Sequence, residues 1–136
     1  MKQKGGLQQP KYNQLKSFIK YNWPSILWAA FILVLCLMPG RDLPSVSIFE
    51  ADKIGHFFVY LVLAFLMWYG WKKQNTFQWL QKNAFVKILL ITAVYGFAVE
   101  IMQETLTADR HFDLLDALAN STGAVAGSLI SVKLFK

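Results

Sequence analysis

Cysteine occurs once, at Cys36 inside an apolar run, so an internal disulfide is excluded and no Cys-x-x-Cys metal site exists. Charge is scarce as well, at 16% of residues, where soluble domains carry about 25%. Acids are scarcer still, with eight Asp and Glu against fourteen Lys and Arg. The apolar stretches lack period-two alternation, which disfavours a membrane β-barrel. Internal repeats and low-complexity segments are absent. No small-x-small cleavage site precedes the first apolar run, so an uncleaved signal anchor is expected rather than a signal peptide.

What is abundant is apolar sequence, 55% of a 136-residue chain, and it falls in four runs. They cover Trp23 to Met38, Ile54 to Trp71, about Val86 to Met102, and Leu114 to about Phe135. Each approaches the ~17–25 residues that a spanning helix needs. Pro24 stands where a helix start tolerates proline, and Pro39-Gly40 ends the first run. Four such runs leave too little polar surface for a water-soluble helical protein. The expected fold is therefore all-α: a bundle of four transmembrane helices over residues 23–136, preceded by a basic interfacial arm over residues 1–22. Tyr21, Trp23, Trp68, Tyr69, Trp71, Phe77 and Trp79 stand where interfacial aromatic belts stand. The stretches 15–20 and 77–80 are expected to lie flat on the headgroups.

The net charge of +6 does not imply nucleic acid, because the basic residues flank apolar runs rather than line one face. Lys2, Lys4, Lys11, Lys16 and Lys20 fill the arm, and Lys72, Lys73, Lys82 and Lys87 fill the second connection. Lys133 and Lys136 close the chain. The opposite side holds only Arg41, Lys53 and Arg110, together with all eight acids. The positive-inside rule then predicts both termini in the cytoplasm, in a bacterial inner membrane, with the acidic side facing out.

The polar residues of the runs gather on that acidic side. Asp52, Lys53, His56 and Tyr60 open the second run. Glu100 and Gln103 close the third, and Arg110, Asp113, Asp116 and Asn120 open the fourth. Spacings of three and four put each set on one helical face. Such faces belong in the protein interior or a wet cleft, because charge at membrane depth is costly. Gly123 and Gly127 continue the last stripe as Gly-x-x-x-Gly, a pattern that lets helices approach closely. Asp52 and Asp113 also suit helix N-caps, with Asp116 favoured by the helix dipole.

The pattern Asp52-Lys53-x-x-His56-x-x-x-Tyr60, then Glu100-x-x-Gln103, then Arg110-x-x-Asp113-x-x-Asp116-x-x-x-Asn120-x-x-Gly123 resembles the VanZ-like family of bacterial membrane proteins. The likeness runs from about residue 24 to the end. Thr107-Ala108-Asp109 departs from it, where a Pro or Gly turn is expected. The resemblance implies a multi-pass protein of the cell envelope, with a relative linked to resistance to the antibiotic teicoplanin. Some relatives carry a phosphotransbutyrylase name, yet no nucleotide or coenzyme A motif is present here.

Several functions fit these residues. Arg110, Lys53 and His56 suit a lipid-linked phosphate headgroup at the outer leaflet. His56 with Glu100 and Asp116 suits acid–base chemistry in a membrane-embedded enzyme. His56, Glu100 and Asp116 come from three runs, so no local spacing supports a metal site, and neither metal nor cofactor is expected. A proton path lacks ionisable residues in the inner half of each run. A small partner subunit of a membrane complex is the remaining reading, and the oligomeric state is open.

Overall fold

The computed structural model describes residues 11–38, 49–108 and 111–135, with side chains of 49–51 outside the description. Arg110, an expected site residue, lies outside the described residues. Among the described residues the chain is all helical, without strands. The helices are α1 (Lys11–Leu37), α2 (Phe49–Lys73), α3 (Gln78–Gln81), α4 (Ala84–Leu106) and α5 (Leu114–Leu134). Three of them are long and apolar enough to cross a membrane: α1, the Asp52–Lys73 part of α2, and α4. α5 misses that standard because one of its faces is polar or small, carrying Asp116, Asn120, Gly123, Gly127, Ser128 and Ser131.

α1 corrects the expected start at Trp23. The helix begins at Lys11, so Pro24 lies in its interior and stretch 15–20 is part of the long helix. Side chains near the proline take up backbone carbonyls: Asn22 Nδ2 donates to Phe18 O at 2.9 Å and Ser25 Oγ to Asn22 O at 2.8 Å. Tyr21 and Asn22 also press on Gly70 of α2, where an added Cβ would lie 2.5 Å from Asn22 Oδ1. Tertiary packing therefore holds the helix through a residue that local rules would place at its start.

α2 and α5 form the most extensive helix pair. Gly123 and Gly127 make this possible. An added Cβ on either would sit 2.1 Å from a backbone oxygen of α2, Phe57 O or Leu61 O. The glycines, four apart, thus meet α2 residues that are also four apart. α1 is tied to both neighbours through backbone carbonyls. Trp28 Nε1 donates to Val59 O at 2.8 Å, and Tyr95 Oη donates to Ala29 O at 2.5 Å. Ile32, Cys36, Tyr60, Leu63 and Val99 pack between these helices.

The turn from α2 to α4 is built on Gln74, which is fully buried. Its Oε1 accepts from Thr76 N and Phe77 N, and its Nε2 donates to Phe77 O at 2.9 Å. α3 follows as a single turn with Leu80 buried and Trp79 exposed. Asn83, in the left-handed region at φ 55°, then starts α4. At this end of the molecule lysines lie over aromatic rings: Lys20 on Tyr21, Lys72 on Trp68, Lys73 on Tyr69 and Lys87 on Trp79.

Candidate functional site

The opposite end brings together the first turns of α2, the last turns of α4 and the first turns of α5. Lys53 Nζ donates to Asp113 Oδ2 at 2.8 Å and to Asp116 Oδ1 at 3.0 Å. Asp113 is also the N-cap of α5, accepting from Leu115 N at 2.8 Å. Cap and ion pair are thus the same side chain. The Lys53 ammonium, with the Leu115 N–H beside it, holds the Asp113 carboxyl below the usual carboxylate range. Asp52 is not a cap, because α2 already begins at Phe49.

His56 is buried between α2 and α5. Its Nδ1 lies 3.0 Å from Asn120 Oδ1. An amide oxygen only accepts, so the Nδ1–H donates to it and Nε2 points to the other side. Nε2 lies 3.7 Å from Asp52 Oδ1, one helical turn back, and 3.9 Å from Asp116 Oδ2. Asp116 thereby divides its oxygens, one to Lys53 and one towards His56. The three ligand-type atoms of Asp52, His56 and Asp116 lie within 4.8 Å of one another.

Glu100 is fully buried on α4, in electrostatic reach of His56, Asp116 and Asp113. Among the described residues neither of its carboxylate oxygens has a side-chain hydrogen-bond partner, the Asp113 backbone N–H being the donor nearby; Tyr60 Oη and Asn120 Nδ2 are without partners. Leaving a buried polar group unpaired costs about 1–3 kcal/mol, more for a charge. Gly96 faces two of these atoms: an added Cβ would lie 3.1 Å from Asn120 Nδ2 and 3.3 Å from Tyr60 Oη. Its missing side chain keeps that space open.

Not every expected site residue joins this group. Gln103 turns towards α1, its Nε2 donating to Cys36 O at 2.9 Å. Tyr60 sits deeper, within the apolar cluster around Ile32 and Val99. Lys53 is committed to two carboxylates rather than presented alone. The ligand-type cluster contains Asp52 rather than Glu100, because Asp52 shares a face of α2 with His56. Gly96 has no signal in the sequence beyond being a glycine in an apolar run.

Against known families, the VanZ/LLP1 family model matches residues 4–136. The chain belongs to the VanZ/LLP1 family. The match covers both ends of the polar cluster and nearly the whole chain, so α1 is within the VanZ/LLP1 unit rather than an appendage. No curated protein and no solved structure matches. Family membership and the three long apolar helices make this a membrane protein.

Proposed function

We propose that this chain is a four-span envelope protein of the bacterial inner membrane that binds or processes a lipid-linked phosphate headgroup at its polar end, which faces out of the cytoplasm. The fourth span is α5. Its outward residues Leu114, Leu115, Leu118, Val125, Leu129, Ile130 and Leu134 are apolar and exposed, as a lipid-facing stripe requires, while its polar residues face α2. The end with lysines over aromatic rings suits headgroups on the cytoplasmic side, with both termini there.

One observation carries the site reading. Buried polar atoms of Glu100 and Asn120 stand without side-chain partners near His56, and Tyr60 Oη lies deeper, across the space that Gly96 leaves beside Asn120. Packing alone gains nothing from such atoms, whereas a polar ligand satisfies them. The resemblance to envelope proteins supplies the ligand class. The test is binding of an undecaprenyl-phosphate-type lipid to the full chain in nanodiscs, with a neutral diacylglycerol as reference. Tighter binding of the phosphate lipid, weakened in Asp116→Asn and His56→Gln, is expected. Equal binding of both lipids sinks the reading. A reporter fused after Lys136 that works only outside the cytoplasm overturns the orientation.

A second reading is favoured by the His56 geometry itself. A ring held at Nδ1 by Asn120, with Nε2 towards the carboxylates of Asp52 and Asp116, is the arrangement of an oriented acid–base group. On that reading the protein is a membrane-embedded enzyme with His56, Glu100 and Asp116 as its catalytic candidates.

A further inference from the structure

We propose that Asp52, His56 and Asp116 bind one divalent transition-metal cation of the zinc type through Asp52 Oδ1, His56 Nε2 and Asp116 Oδ2. The distances point this way. At 3.7 and 3.9 Å the two carboxylate oxygens are too far from Nε2 to hydrogen-bond with it. Donors around a single zinc ion, with bonds of about 2.0–2.2 Å, stand roughly 3.4 Å apart. Small rotations of the three side chains close that gap. One imidazole among carboxylates selects a transition metal over magnesium or calcium.

The ligands are already oriented by neighbours. Asn120 holds the far nitrogen of His56, and Lys53 holds the far oxygen of Asp116. Metal sites use such outer contacts to fix the tautomer and direction of each ligand. Asp52 is half exposed, which leaves a way in.

An independent observation asks for positive charge at this place. Glu100, wholly buried and without a side-chain hydrogen-bond partner among the described residues, stands in electrostatic reach of His56 and Asp116. A buried carboxylate is stabilised by pairing or by a metal nearby. Among the described residues Lys53 is the ammonium of the cluster, and it spends its bonds on Asp113 and Asp116. A cation on His56 Nε2 compensates Glu100 as well as its own ligands. It also explains how an acidic site would take a phosphate, since the metal rather than a lysine would face the anion. That last step rests on the proposed phosphate reading; the cation site itself stands on the geometry. Nε2 cannot hold a metal and act as a base, so the cation competes with the acid–base reading.

The test uses the full chain in nanodiscs, stripped with chelator and titrated with Zn2+ against a competing dye. One zinc per chain is expected. Asp52→Asn, at a half-exposed position that leaves the fold intact, weakens it at least tenfold. Asn120→Ala, a positioning residue, weakens it about 10–100-fold. His111→Ala, on an exposed histidine outside the three-residue ligand set, leaves it unchanged. Co2+ in place of zinc reports one nitrogen and several oxygen donors by X-ray absorption. No retained zinc, or zinc held equally by Asp52→Asn and Asn120→Ala, overturns the site. A second titration follows polyprenyl phosphate with and without zinc. Zinc-dependent binding supports both ideas. Zinc bound without any lipid binding sinks the phosphate reading and leaves the cation site standing. Lipid binding indifferent to zinc overturns the metal's part in holding phosphate.

Discussion

Gly123→Ala adds a single methyl group where α5 rests on α2. The new Cβ would be 2.1 Å from Phe57 O and 2.9 Å from Phe57 C. Backbone atoms in mid-helix cannot step aside. Reaching the 3.4 Å of ordinary contact requires the helices to part by about 1 Å, in an interior packed to crystal-like density. Overpacking of this kind costs about 1–3 kcal/mol. The same parting stretches contacts that cross from α2 to α5, including Lys53 to Asp116 at 3.0 Å and His56 to Asn120 at 3.0 Å. Gly55→Ala, on α2 with nothing within 4 Å of its new Cβ, is the control. Its expected effect is a gain of about 0.5–1 kcal/mol from helix propensity alone. Unfolding of both variants in the same nanodisc lipid, followed by helical signal, reads the difference. Equal stabilities for Gly123→Ala and Gly55→Ala would refute the close approach of α2 and α5. Gly127→Ala, facing Leu61 O at the same 2.1 Å, should copy Gly123→Ala.

Glu100→Gln keeps the side chain's shape and an oxygen that can accept from the Asp113 backbone N–H, so unfolding should show no loss of stability even as lipid binding falls; marked destabilisation would show that the carboxylate serves packing. Lys53→Met leaves Asp113 and Asp116 facing each other and should destabilise the protein, with Lys53→Met/Asp116→Asn recovering part of the loss in a double-mutant cycle. Gln74→Ala leaves Thr76 N and Phe77 N without their acceptor, and should cost about 2–3 kcal/mol while leaving the polar end intact by zinc titration. Asp113 has a folded pKa lowered from 3.8, so its contribution is complete above that value and is lost as pH falls through the lower folded value. Acid unfolding below about pH 4 should therefore be steeper in wild type than in Asp113→Asn.

Most of the helices could be read directly from the chain, because each apolar run is long and bounded by breakers or lysines. α1 is the exception. Pro24 is a helix-start residue by local rules, and tertiary contacts of the earlier turns, Phe18 on Phe77 and Tyr21 and Asn22 on Gly70, carry the helix back to Lys11. The face of each polar residue was equally legible, since spacings of three and four survive any packing. Partnership was not legible. Lys53 is adjacent in sequence to Asp52 yet pairs with two α5 carboxylates sixty or more residues away. The rotation of α2 about its own axis decides that, and Gly123 and Gly127 set the rotation by seating α5 on Phe57 and Leu61. Gln103 shared the expected face but reaches α1, because Cys36 O offers an acceptor there.

These helices use polar groups in two different ways, and the difference bears on whether the cluster is more than adhesive. Helix adhesion in this protein has a recognisable form: one side-chain donor meets one backbone carbonyl, as in Trp28 to Val59, Tyr95 to Ala29 and Gln103 to Cys36. Each such bond is complete in itself and needs no charge. The cluster at the start of α5 has another form. Its contacts run between side chains, it carries more carboxylates than cations among the described residues, and Glu100 is left with no side-chain hydrogen bond. Removing one partner from a buried charged set is costly, so a sequence selected only for adhesion gains nothing by retaining Glu100 as an acid. Retaining it is favourable once a cation or a polar headgroup occupies the space beside His56. The protein joins helices elsewhere without buried charge, which supports the proposal that Asp52, His56, Glu100 and Asp116 serve a ligand.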